Sequence, residues 1–300
     1  MRRVLLIFID GFGLGQNDKA INPLVKFDPP LFRQLFGVPL TLTAAPVLTD
    51  RVCMVATDTA LGVSGLPQSA TGQTALFTGI NAPKVMDRHI QGFPGPGLAK
   101  IIAEHSLLSE LAERGLAVTS ANAYSPNYMD LVAARKRRHS VTTLTMLNAN
   151  LALRSLPELQ AGQAVNQDIT NEMLPLMGIT TIEPVSAAVA GNRLAKLAKQ
   201  NHFTMFEYFQ TDRWGHKRDW DIAKKIITVL NEFLTAVYAE SQDELLVMIT
   251  SDHGNFEDFS VKTHTNNLVP TIIWGPACCS VAAKIKALTD IKPAITTYLS

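Results

Sequence analysis

Two short segments concentrate metal-ligand chemistry. Asp252-His253-Gly254-Asn255 sets a carboxylate beside an imidazole, and Asp212-Arg213-Trp214-Gly215-His216 holds an Asp and a His four positions apart. Hard oxygen next to borderline nitrogen suits Mn²⁺ or Zn²⁺. A four-residue spacing on one helical turn or a tight loop lets both side chains converge on one ion. Asp10 and His264 add a carboxylate and an imidazole from opposite ends of the chain. Each has a plainer reading when taken alone. Asp10-Gly11 is a common turn pair, and a lone histidine is more often structural than ligating.

A hydroxyl joins them. In Gln68-Ser69-Ala70-Thr71-Gly72-Gln73 a polar loop enters an apolar segment with helical character, placing Ser69 or Thr71 at a helix N-terminus, where N–H groups and the dipole favour an anion such as phosphate. The same residues are equally ordinary N-caps. Taken together, Asp10, Ser69, Asp212, His216, Asp252, His253 and His264 are seven donors from five separate segments. That set matches the needs of two ions roughly 4 Å apart, with a hydroxyl left to meet the substrate.

Such donors need a scaffold that brings distant segments to one rim. Apolar runs rich in β-branched residues recur at 4–9, 116–121, 203–208, 245–250 and 268–274, and read as buried, mostly parallel strands. Helical periodicity fills 71–78, 101–114, 184–200, 219–239 and 291–299. This alternation predicts an α/β fold with a doubly wound, mostly parallel sheet, whose ligands sit outside the carboxyl ends of the strands. Asp10, Asp212 and Asp252 follow three of those runs. The stretch 125–181 breaks the rhythm and is expected to be a small cap inserted into a core formed by 1–124 and 182–300. Residues 81–98, with Gly92-Phe93-Pro94-Gly95-Pro96-Gly97, read as a loop near the same rim.

Composition narrows the partners. The 300 residues carry 27 Lys+Arg against 26 Asp+Glu, and 47% are hydrophobic. This balance excludes disorder and gives no electrostatic footprint for nucleic acid. The three cysteines, two of them adjacent, make neither a disulfide framework nor a CxxC metal site, which fits a reducing cytoplasm. Six apolar residues after Met1-Arg2-Arg3 are too few for an export signal, and no run approaches the roughly 20 residues of a membrane helix. The expectation is a soluble cytoplasmic protein that engages neither nucleic acid nor membrane, with its oligomeric state left open.

The order Asp-Gly, Ser-x-x-Gly before a helix, Asp-x-x-x-His, Asp-His-Gly-Asn and His-Thr-x-x-x-Val-Pro resembles the alkaline phosphatase superfamily, most closely the branch of cofactor-independent phosphoglycerate mutase and phosphopentomutase. Leu288-Thr289-Asp290-Ile291-Lys292-Pro293 is similar to the start of that superfamily's closing helix, so the likeness runs from Asp10 to Pro293. It implies one divalent ion on Asp212, His216 and His264 and a second on Asp10, Asp252 and His253, with Mn²⁺ or Zn²⁺ preferred and Mg²⁺ an option. It also implies that Ser69 is the phosphorylated nucleophile and touches the second ion, a serine hydroxyl being a weak nucleophile until activated.

The chain departs from the mutases in two places. Its insertion is short, and Gly72-Gln73 stands where those mutases carry Gly-His. A small cap favours hydrolysis of a small phosphorylated metabolite, while the motif likeness keeps a phosphomutase as the alternative. A non-catalytic binding protein on the same fold is a further alternative, disfavoured because all seven positions hold competent residue types. In the cap, Arg138 and His139 are expected to face substrate, and Arg88 on the 81–98 loop is a further candidate.

Overall fold

The computed structural model describes residues 2–241 and 243–300. Its centre is a seven-stranded sheet built from β1 (Val4–Ile9), β2 (Val47–Leu48), β3 (Val52–Thr57), β4 (Val118–Ser120), β5 (Phe203–Tyr208), β6 (Leu246–Thr250) and β7 (Val269–Trp274), in the order β2-β3-β7-β6-β1-β5-β4. β1 lies between β5 and β6 and is parallel to both, and β4 extends that parallel half. All six residues of β1 are buried, as expected of a strand covered on both faces. Side chains alternate across the sheet. Leu5, Ile7 and Ile9 pack beneath the helices Ala187–Lys199 and Trp220–Ser241, whereas Val4, Leu6 and Phe8 pack beneath Ser69–Thr78, Pro96–His105, Leu107–Glu113 and Ile291–Leu299.

The α/β architecture agrees with the sequence reading, and the sheet is mixed. β7 runs antiparallel to β6, and β3 and β2 continue antiparallel at that edge. Parallel neighbours need a long crossover, usually helical. Between β6 and β7 the chain forms no helix but folds back as an extended loop, clipped by a bridge between Gly254 and Thr265. Residues 125–181 form four short helices, Pro126–Ala133, Val141–Asn148, Leu156–Gln160 and Met173–Leu176. Val141 and Met146 join the apolar cluster that covers β1, while Leu159, Ala164, Leu174 and Ile182 make a small cluster of their own. No described helix is long and apolar enough to cross a membrane.

The β6–β7 loop is held by a buried carboxylate. Glu257 is 0% exposed and accepts hydrogen bonds from the backbone N–H of Gly13 (3.0 Å) and Asn255 (2.7 Å), from Asn267 Nδ2 (3.0 Å) and from the Thr265 hydroxyl. It ties the loop after β1 to both ends of the loop after β6. Replacing it with alanine strands four donors, each of which costs free energy when left without a partner. Glu257→Ala is expected to lower unfolding free energy by about 2 kcal/mol or more, measured by urea denaturation, with Glu257→Gln intermediate; an unchanged midpoint for Glu257→Ala would remove this residue from its anchoring role.

Candidate metal centre and substrate cavity

Asp10 follows β1, Asp212 lies on the short helix Gln210–Gly215 after β5, and Asp252 and His253 follow β6. Three adjacent parallel strands therefore deliver their carboxylates to one rim. Gly11 makes the turn after Asp10 with φ +67°, and a Cβ there would lie 2.8 Å from the Asp212 side chain. Gly72 lets the Ser69–Thr78 helix reach the same rim, since a Cβ at that position would meet the Asp252 carbonyl at 2.8 Å. The Asp-Gly and Ser-x-x-Gly motifs thus have steric reasons for their glycines.

Three histidines are oriented by backbone carbonyls. His216 Nδ1 lies 2.7 Å from the Lys262 carbonyl oxygen, His264 Nδ1 2.8 Å from that of Pro67, and His253 Nδ1 3.3 Å from that of Gly254. A carbonyl only accepts, so each Nδ1 carries the proton and each Nε2 is left for the site. His253 Nε2 sits 3.3 Å from Asp10 Oδ1, 3.6 Å from Asp252 Oδ2 and 3.0 Å from Ser69 Oγ. Asp212 Oδ1 lies 3.4 Å from His264 Nε2 and 3.5 Å from His216 Nε2, and accepts a 2.6 Å hydrogen bond from Asn255 Nδ2.

This geometry asks for positive charge. Burial first, and then the charges of Asp252, Asp212 and Glu207, push the Asp10 carboxyl far above its ordinary range. Burial also pushes the His253 imidazole down, so it stays neutral and presents a lone pair to carboxylate oxygens. Asp10 Oδ1 is buried with no hydrogen-bond donor. At Asp212, burial acts upward, but the hydrogen bonds of His216 and His264 outweigh it and hold the carboxyl well below the usual range. His264 is pushed down by burial and His216 up by Asp212, and both end raised through Asp212.

Among the described residues at this rim, two groups of donor atoms are close enough to hold an ion: Asp10, Asp252 and His253, and Asp212, His253 and His264. The first is the trio that the likeness implies. In the second, His253 stands where His216 was expected. His216 keeps its place beside Asp212, yet its side chain is 40% exposed and its ring centroid lies 5.1 Å from that of His264. Buried orphan oxygens, inward-facing Nε2 atoms and mixed O/N donors together fit divalent cations of the Mn²⁺ or Zn²⁺ type.

Ser69 is not the N-cap of its helix. Gln68 holds that position, and Ser69 is the first helical residue, its hydroxyl committed to His253. Thr71 is turned away, its hydroxyl engaged with the Gln68 carbonyl and the Ile90 N–H. Gln73 Nε2 donates 3.0 Å to Asp252 Oδ2, so this polar neighbour orients a carboxylate.

Ser69 and Asp212 stand where two hollows meet. One is a cavity of about 330 Å³, lined by Asn122, Tyr124, Tyr128, Thr143 and Glu207 among others, and the second is a more open cleft containing His216 and His264. Arg138 borders the open cleft, its guanidinium 5.6 Å from the Phe93 ring. Arg137 lines the cavity and lies over the Tyr128 ring, a residue that the sequence reading passed over in favour of its neighbour. His139 sits behind Tyr128, with its Nδ1 3.0 Å from the phenol oxygen, and Arg88 is exposed and outside both linings. Glu207 was missed. Burial, opposed by the Thr142 hydroxyl and aided by the Asp252 charge, raises its carboxyl to about 7. Its signal was available, since it is the one charged residue in the strand Phe-Thr-Met-Phe-Glu-Tyr.

Comparison with known proteins places these features in a family. The chain matches the metalloenzyme superfamily over residues 2–300. It is 28% identical over 113 residues to the phosphopentomutase of Alkaliphilus metalliredigens, covering 36% of this chain and 28% of that protein. It is also 28% identical over 111 residues to the 2,3-bisphosphoglycerate-independent phosphoglycerate mutase of Anaplasma phagocytophilum, covering 34% and 22%. These matches span less than a third of either relative's length. The fold is similar to that of alkaline phosphatase from the Antarctic bacterium TAB5, with a TM-score of 0.53, 14% identity and coverage of 99% of this chain and 97% of the other. On the whole-chain match, with the converging carboxylates and imidazoles to give it chemical sense, the chain belongs to the metalloenzyme superfamily.

Proposed function

We propose that this protein is a phosphoryl-transfer enzyme dependent on two divalent ions, which hydrolyses small phosphate monoesters through a phosphoserine at Ser69. One observation carries the reading: Ser69 Oγ lies 3.0 Å from His253 Nε2 on the first turn of a helix, at the mouth of a substrate-sized cavity. Asp10, Asp252 and His253 would hold one ion and Asp212, His264 and His216 or His253 the other. When bound, such ions lower the hydroxyl's pKa and neutralise phosphoryl oxygens.

The chain's own groups do the rest. Ser69 gives its proton to solvent as its Oγ bonds to phosphorus and the ester P–O bond breaks; the leaving oxygen takes a proton from solvent and departs as an alcohol into the cavity. Ser69 and Ala70 open the helix Ser69–Thr78, whose N-terminus favours the negative charge of the transferred group. Water then cleaves the Oγ–P bond and frees phosphate. The open cleft at Ser69 gives that water a path, which supports hydrolysis over retention of the intermediate. The alternative is a phosphomutase, favoured by the likeness to two mutases and by the contribution of Tyr128, Ser140 and Asn166 from 125–181 to the cavity wall. A cytoplasmic location and a small phosphorylated metabolite as partner belong to the same proposal.

A panel of phosphomonoesters, phosphodiesters and sugar phosphates, assayed with Mn²⁺ or Zn²⁺, tests the reading. Free phosphate from small monoesters supports a hydrolase, isomerised sugar phosphate without release supports the mutase, and inactivity across the panel counts against both. Ser69→Ala is expected to keep its metal content yet lose the phosphoenzyme and at least about 10³-fold in kcat, read by mass spectrometry and phosphate release. Full activity in that variant would move the nucleophile elsewhere. His264→Ala is expected to lose roughly one of the two ions per chain in elemental analysis; retention of both would free His264 from ligation.

A further inference from the structure

A second cluster of metal-binding atoms lies at the other end of the sheet. Cys53 stands near the start of β3, and Cys278 and Cys279 open the short helix after β7. β3 pairs with β7 so that Cys53 faces Ile273 at the edge where β7 ends, whereas the carboxylates of the metal centre follow the opposite ends of β1 and β6. The adjacency of Cys278 and Cys279 carries no CxxC signature, but the fold supplies the third thiol from a residue more than 200 positions away.

The geometry is compact. Cys53 Sγ lies 3.1 Å from Cys279 Sγ and 3.9 Å from Cys278 Sγ, and all three sulfurs fall within 4.8 Å of one another. A tetrahedral ion with metal–sulfur bonds of about 2.3 Å separates its sulfurs by about 3.8 Å, so the cluster needs only small adjustments. The Thr49 carbonyl oxygen faces all three, at 3.3 Å from Cys53, 3.8 Å from Cys278 and 2.8 Å from Cys279. The Asp50 carbonyl oxygen, 3.5 Å from Cys278 Sγ, is that thiol's nearer acceptor, which leaves the Thr49 oxygen to Cys53 and Cys279. The same oxygen is placed to complete a four-coordinate site.

We propose that Cys53, Cys278 and Cys279, with the Thr49 carbonyl oxygen, form a site for one thiophilic ion of the Zn²⁺ or Cd²⁺ class, separate from the centre at Asp10 and Asp212. On binding, each thiol that ligates gives its proton to solvent as its sulfur–metal bond forms, so up to three protons leave per ion. Burial pushes the Cys53 and Cys278 thiols up, with the other two sulfurs adding to the rise at Cys53 and the Cys53 hydrogen bond opposing it at Cys278, which favours the protonated thiols in the free protein and slows reaction with peroxide. Cys53 and Cys278 are buried and Cys279 is partly exposed, giving the ion an entry side. Bound there, it staples the turn between β2 and β3 to the helix after β7.

The test uses reduced full-length protein whose hard-donor centre is kept filled with excess Mn²⁺, titrated with Cd²⁺. Thiolate-to-cadmium charge-transfer absorption is specific to sulfur ligation. The expected result is a band that saturates at one Cd²⁺ per chain with proton release and a higher thermal midpoint. Cys53→Ser and Cys279→Ser should each weaken binding by about tenfold or more. The triple serine variant should lose the band while keeping Mn²⁺ binding and activity. Because the titration is done on the unaltered protein, a misfolded variant does not decide it. Absence of the band with three thiols titratable in denaturant would overturn the proposal, as would air oxidation of a cysteine pair to a disulfide with no metal uptake.

Discussion

Crowded negative charge is the constraint on which the rest of the structure depends. Asp10, Asp212 and Asp252 arrive on adjacent strand ends, with Glu207 close enough to raise Asp10 further. Such a cluster opposes folding unless something positive lies among the oxygens. In the protein alone, burial and the neighbouring carboxylates drive the Asp10 carboxyl upward, and Asp212 raises His216 and His264, so the cluster moves toward holding protons. The nearby architecture holds this arrangement against its own repulsion. Backbone carbonyls fix the imidazoles, Gln73 and Asn255 orient Asp252 and Asp212, and Glu257 locks the β6–β7 loop from below.

Structural strain and chemical readiness are here the same property. The centre that costs most to assemble without cations gains most when they bind, because binding adds directly to folding stability. Ser69 shares this environment. Its hydroxyl meets the His253 imidazole, which in turn lies against the Asp10 and Asp252 carboxylates, and under the proposed function that setting becomes productive when negative charge is offset. The cavity beyond it is built largely from amides, phenols and hydroxyls, with Glu207 at its wall and Arg137 as a cation on its lining.

The sequence made the centre unusually legible. Asp252 and His253 are adjacent, Asp212 lies on a short helix that His216 caps, and each pair follows an apolar run that became a strand. Steric glycines sharpened the motifs, as Gly11 and Gly72 show. What escaped had weaker local signals. Val52–Thr57 is a short run whose pairing with β7 depends on a distant partner, and the antiparallel turn at β7 depends on a loop that forms no helix. The sharing of His253 between two donor groups, the inward turn of Arg137 rather than Arg138 into the cavity, and the meeting of Cys53 with Cys278 and Cys279 are products of tertiary packing. No periodicity encodes them. Glu207 was readable as a lone acid in an apolar strand, but its role required knowing which end of that strand met the cavity.

The central claim is that the carboxylate cluster exists to hold two divalent ions. Its most direct test is to strip the protein with chelator and titrate it with Mn²⁺, a hard ion that thiols bind poorly, counting bound ions by the loss of the free-ion paramagnetic signal while following thermal unfolding. The account predicts two Mn²⁺ per chain and a midpoint that climbs with Mn²⁺ concentration. A protein that binds no Mn²⁺ at millimolar concentration and is equally stable with and without it would contradict the account.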